Sequence, residues 1–145
     1  IDEIKMFRDA TRLPFILKGV LSVQDAEIGR DEVGADCIVV SNHGGEAIDY
    51  SVPILKVLPE IRAAVPEMTV LVDSGLSRGT DVLKALALGA DGACFGNLLL
   101  LAFVAYGAQG VTEMLRNLEN ELRRNMSITG CKRIDAIDSG IVRPL

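Results

Sequence analysis

The chain is poor in the residues that announce several common classes of protein. It has three cysteines in 145 residues, and they form no framework. Cys37 and Cys94 sit inside apolar runs, where thiols pack rather than pair, and Cys131 stands alone beside Lys132 and Arg133. No zinc-ligand spacing is present, so no metal site is expected. This usage suits a reducing compartment, with the cytoplasm as the expected location. Positive charge is also scarce. The net charge is −5 and the basic residues are scattered, which argues against a nucleic-acid surface. The opening Ile1-Asp2-Glu3 is neither basic nor apolar enough for a signal peptide. Residues 92–108 come nearest to a membrane span, but the run is slightly short and carries Asn97 near its middle. A buried strand followed by a buried helix is the expectation there, with no integral membrane span. There is one histidine, His43.

What the chain has in quantity is apolar side chains, 49% of residues. That is rich for a soluble protein and suits parallel strands covered on both faces. Strand and helix patterns alternate. Residues 2–10 predict an amphipathic helix with Ile4 and Phe7 on one face, and 13–18 a strand. Ser22, with Asp25 three positions on, predicts a capped helix running to about Val33 and ending at Gly34. Strand 36–40 precedes a polar, glycine-bearing loop, 41–51. Helix 53–65, strand 68–72, helix 78–88, strand 92–95 and helix 97–106 follow. A terminal helix is expected over 111–126, and 129–145 shows no clear pattern.

Strands alternating with helices at this spacing predict βαβ units and a parallel sheet. A short internal repeat supports this. Lys18-Gly-Val-Leu-Ser leads to Gly34-Ala-Asp36, and Asp73-Ser-Gly-Leu-Ser leads at the same spacing to Gly89-Ala-Asp91. Each copy reads as strand, loop, helix, turn and next strand, with a charged residue where the loop begins. Four strands do not close a barrel, because a (β/α)8 barrel needs about 250 residues. The expected class is α/β, the C-terminal half of a TIM barrel with four parallel strands and helices. Residues 1–137 form the half-barrel and 138–145 a tail. Open sheet edges would be met by a missing N-terminal half-barrel or by a homo-oligomer.

The chemistry-bearing residues collect at the ends of the expected strands, where parallel barrels keep their sites. Lys18 ends the first strand. His43 lies in Ser41-Asn-His-Gly-Gly45, whose glycines let a backbone approach a ligand closely. Asp73, Ser74 and Gly75 end the third strand, and Gly96 and Asn97 the fourth. Those would be strands seven and eight of a full barrel, whose loops usually bind phosphate through backbone N–H groups and a helix N-terminus.

Three blocks carry a specific resemblance: Leu-Pro-Phe-Ile-Leu-Lys-Gly-Val-Leu (13–21), Val-Ser-Asn-His-Gly-Gly (40–45) with Asp49, and Asp-Ser-Gly-Leu-Ser-Arg-Gly-Thr-Asp (73–81) followed by Lys-Ala-Leu-Ala-Leu-Gly-Ala (84–90). Together they resemble the FMN-dependent α-hydroxy-acid oxidases and dehydrogenases, from the first helix to about Ile137. The resemblance implies FMN as cofactor and oxidation of a 2-hydroxy acid or related alcohol, with electrons passing to the flavin. It implies His43 as the base, Lys18 beside the flavin N1 and O2 region, Ser41 lining the flavin, and Asp73 holding the ribityl hydroxyls. It places Gly75 and Gly96 near the phosphate, with Ser74, Ser77, Arg78 and Asn97 in the same cofactor-binding set. The chain departs from the family's pattern in three places. Glu46 stands where an arginine grips the substrate carboxylate, and Ser77 and Asn97 stand where arginines serve the phosphate. Glu46 is therefore a candidate substrate residue of altered charge. Two other readings stay open: an FMN barrel of another class, such as the isopentenyl diphosphate isomerases, or a non-catalytic flavin-binding remnant.

Overall fold

The computed structural model describes residues 1–143; the last two residues of the expected tail lie outside them. Its strands are β1 (Ile16–Val20), β2 (Cys37–Val40), β3 (Thr69–Val72) and β4 (Gly92–Ala93). They pair in that order, each parallel to the next. Five helices accompany them: α1 (Asp2–Asp9), α2 (Val23–Ile28), α3 (Ile54–Ala64), α4 (Gly79–Ala87) and α5 (Asn97–Thr129).

The helix boundaries follow local chemistry. Ser22 caps α2 by accepting the Asp25 N–H at 3.0 Å. A wider turn over Gly29–Val33 extends α2, and Gly34, at φ 69°, closes it. The Asp81 carboxylate accepts the N–H groups of Ser77 and Arg78, each at 3.0 Å, and so opens α4.

The internal repeat is structural. Asp36 and Asp91, one in each copy, each accept a backbone N–H at the start of an adjacent strand: Asp36 from Phe15 at 2.7 Å, Asp91 from Val70 at 2.8 Å. Each aspartate's own N–H returns to the carbonyl of that same partner. The two copies are thus the same turn built twice, with the carboxylate fixing where the next strand enters the sheet.

The core lies between the sheet and helices α2 to α4. Ile38, Val40, Val70 and Val72 of the central strands meet Leu58, Ile61 and Val65, all fully buried. The central strands alternate toward this layer, and the opposite face carries Lys18, Cys37, Val39 and Leu71. Burial pushes the Cys37 and Cys94 thiols above their ordinary pKa, so both rest as neutral packing groups.

Three expectations are corrected. Strand β1 covers Ile16–Val20 rather than 13–18, because the chain passes Gly19 (φ 101°) as a bulge and continues. Lys18 therefore lies within the strand. Strand β4 pairs over two residues only. The helix expected to be buried over 97–106 is exposed along one side: Leu101 is 67% and Val104 74% accessible, since no described element covers that side. By length and composition α5 could cross a membrane, but it breaks at Tyr106 and Gly107, which leave helical geometry. The apolar stretch before the break is too short to span. The two parts pack closely past the break: a Cβ on Gly110 would lie 2.2 Å from the Ala102 carbonyl oxygen.

Candidate active site

The loops after β1, β2 and β3 meet at one end of the sheet, at the C-terminal ends of the strands. Lys18 Nζ lies 3.1 Å from an Asp73 carboxylate oxygen and donates to Ser41 Oγ at 3.2 Å. Ser41, almost fully buried, follows β2 directly. Its hydroxyl lies 3.2 Å from that of Ser74, and Ser74 Oγ donates to the other Asp73 oxygen at 3.1 Å. The four side chains close a ring that joins three strands.

The histidine loop rests on that ring. The His43 N–H donates to Ser41 Oγ at 3.2 Å, and the Gly44 N–H reaches Ser74 Oγ at 3.0 Å. Asn42 holds the loop from the other side: its Oδ1 also accepts the Gly44 N–H at 3.0 Å, and its amide donates to the Val52 carbonyl at 3.2 Å. His43 itself has φ 53°, sparsely populated outside glycine, and Ser74 has φ 93°. Such strained residues persist only where surrounding bonds hold them. Gly19 lies beside the histidine, where a Cβ would make ordinary van der Waals contact with His43 Cε1 at 3.7 Å; what requires glycine there is its φ of 101°.

An open cavity of about 440 Å³ faces this ring, lined by Lys18, His43, Asp73, Cys94, Asn97 and Leu101 among others. Ser74, Gly75, Ser77 and Gly96 line it too, with Gly44, Leu76 and Leu98, which sequence reasoning missed. A Cβ on Gly75 or Gly96 would meet nothing within 4 Å, so the backbone at the ends of β3 and β4 is open to a ligand. Lys18 is the only cation among the described lining residues. Grooves of about 630 and 770 Å³ lie along α5 and near Arg62 and Arg133. They are larger, but neither contains the ring or the histidine, so the smaller cavity is the candidate site.

Three expected site residues do not line the cavity. Ser41, expected to line the flavin, is buried behind it, its hydroxyl taken up by Lys18, Ser74 and the His43 N–H. Glu46 is exposed and does not line the cavity, and neither does Arg78. The Ser77 and Arg78 N–H groups are taken by Asp81, and the Gly79 N–H donates to the Glu121 carboxylate at 2.8 Å. The first turn of α4 is thus occupied by protein carboxylates, which leaves the start of α5 as the open helix end at this cavity. Glu121 was invisible to sequence reading because it arrives from a separate helix.

Parallel strands, crossover helices on one face and polar groups gathered at the C-terminal strand ends define part of a (β/α)8 barrel. The chain belongs to the FMN-dependent dehydrogenase family, whose sequence pattern matches residues 1–144. It is 43% identical over 141 residues to an L-lactate dehydrogenase of Caulobacter sp. (strain K31), covering 97% of this chain and 37% of that protein. It is 42% identical over 142 residues to the peroxisomal (S)-2-hydroxyacid oxidase GLO3 of Arabidopsis thaliana, covering 97% and 39%. Among solved structures it is similar to mandelate oxidase with benzoyl-formic acid, at a TM-score of 0.89 and 44% identity, over 94% of this chain and 41% of that one. A mandelate oxidase mutant holding an FMN adduct matches at a TM-score of 0.89 and 44% identity, over 94% and 43%. The chain spans about two-fifths of the length of these relatives.

Proposed function

We propose that this chain is the C-terminal half, residues 1–137 with the tail 138–145, of an FMN-dependent oxidoreductase that converts a 2-hydroxy acid or a related alcohol to the keto compound. The Lys18–Ser41–Ser74–Asp73 ring beside His43 carries the reading. The other half-barrel, or a second copy, would meet the apolar side of α5, where Leu100, Leu101, Phe103 and Val104 are exposed. No nucleic-acid partner or membrane span is part of the proposal, and the cytoplasm is the proposed location.

The donor set fits FMN. Lys18 would supply a cation for the electron-rich edge of the ring system, and the Asp73 carboxylate would accept from hydroxyl groups of the ribityl chain. The open backbone at Gly75 and Gly96, with the first turn of α5 and the side chains of Ser77 and Asn97, provides neutral donors for the phosphate. Bound FMN would supply the acceptor for the substrate's two electrons. The chain's own part is to place the reacting groups. His43 takes the proton from the substrate hydroxyl, held over the cavity by Ser41 and Asn42. Lys18 stabilises negative charge that accumulates beside it.

Anaerobic mixing of the full-length protein with lactate, glycolate or mandelate tests this reading. The flavin absorbance should bleach with at least one of them, and a protein that holds no flavin would refute it.

Glu46 bears on which substrate is taken. At about 4 Å a unit-charge pair interacts by about 4 kcal/mol at an intermediate effective dielectric. A glutamate facing a substrate carboxylate repels it where an arginine would attract. We therefore propose that in the full-length protein Glu46 faces the substrate and selects a neutral or cationic group. Glu46→Arg is expected to raise kcat/KM for simple 2-hydroxy acids about tenfold or more, which is about 1.4 kcal/mol of transition-state binding. No gain with lactate, glycolate or mandelate would mean that Glu46 stays in solvent.

A further inference from the structure

We propose that Ser74 is a positioning residue that ties the His43 loop to the Lys18–Asp73 pair, a role distinct from contact with a ligand. The inference rests on the proposed oxidoreductase site and follows from counting hydrogen bonds. A serine hydroxyl has one proton to give and two lone pairs to offer. Ser41 Oγ accepts from Lys18 Nζ and from the His43 N–H, so its own proton is directed to Ser74. Ser74 Oγ accepts that proton, accepts the Gly44 N–H shared with Asn42, and donates to Asp73. Both hydroxyls are saturated by protein groups. A ligand in the cavity therefore meets the unspent N–H groups of Lys18 and the remaining lone pairs of Asp73, while the two serines transmit their positions to the backbone of residues 43 and 44.

The backbone of Ser74 points the same way. Its φ of 93° suits glycine, and the residue beside it, Gly75, has φ 73°. A side chain at Ser74 costs backbone strain, and its hydroxyl is the only part of it that makes the ties described above. Ser74 is also the only member of the ring that bonds both to Asp73 and to a backbone N–H of the histidine loop.

The test uses the full-length protein with bound FMN and the variants Ser74→Gly and Ser74→Ala. Both remove the ties, and only glycine also relieves the strained φ. Hydrogen exchange at the backbone of residues 42–46 should speed up at least tenfold in both variants, with β3 and α4 unchanged. The limiting rate of anaerobic flavin reduction should fall at least tenfold, while the apparent dissociation constant for the substrate shifts less than threefold. The melting temperature of Ser74→Ala should lie below that of Ser74→Gly. Unchanged exchange at 42–46, or acceleration spread over the whole barrel, would overturn the tie. Should the unmodified protein fail to reduce its flavin with any 2-hydroxy acid, the functional reading fails, and the exchange measurement still judges Ser74.

Discussion

His43→Gln in the full-length protein is expected to slow substrate reduction of the flavin by roughly 10²–10⁴, the usual worth of a positioned general base. The flavin spectrum should stay nearly unchanged. The two effects separate because His43 and the Lys18–Asp73 pair lie on different strands' loops: His43 follows β2, whereas Lys18 is within β1 and Asp73 follows β3. Glutamine preserves the backbone bond to Ser41 and a comparable side-chain length, so the loop should persist without a base. The His43 side chain lines the cavity, and the bonds of the His43 and Gly44 N–H groups to Ser41 and Ser74 hold the loop that carries it. Stopped-flow reduction under anaerobic conditions measures the effect. Normal turnover in the variant would remove His43 from the chemistry.

The second large effect concerns stability. Gly79→Ala is expected to cost about 3 kcal/mol or more, combining overpacking with the strain on a charge-assisted hydrogen bond. Gly79 is buried where α4 crosses α5. A Cβ there would lie 2.4 Å from the Leu122 nitrogen and 2.7 Å from the Leu118 carbonyl oxygen. Both are backbone atoms, so no side chain can turn aside and the helices must part. Parting them also pulls the Gly79 N–H from the Glu121 carboxylate. Chemical denaturation of the full-length protein measures the loss. A variant as stable as the parent would contradict the close packing of α4 on α5.

Much of the fold was legible because its signals are local. Apolar runs of strand length separated by capped helices specify βαβ order, and the repeated Gly-Ala-Asp turn marks two strand entries that prove to be built alike. What escaped depends on neighbours distant in sequence. Gly19 looks like a strand terminator, yet pairing with β2 carries the chain past it to Val20. The end of β4 depends on having no described strand beyond it. The apolar face of 97–106 predicts burial, and what covers that face is not among the described residues.

The site divides in the same way. The Ser-Asn-His-Gly-Gly run and the Asp-Ser-Gly run sit at strand ends, and alternation alone brings their loops to one cavity. Arg78 does not line the cavity, and its N–H goes to Asp81, three residues on. The closing of the serine ring could not be read from sequence, because Ser41 follows β2 and Ser74 follows β3, 33 residues apart.

Anaerobic stopped-flow spectroscopy of the full-length protein tests the central claim most directly. Purified protein carrying stoichiometric FMN is mixed with lactate, glycolate or mandelate without oxygen, and the flavin absorbance is followed. Rapid bleaching by at least one of these acids is expected, with the keto compound formed in equal amount. A flavin that stays fully oxidised with all of them, while a chemical reductant bleaches it normally, would contradict the proposed activity.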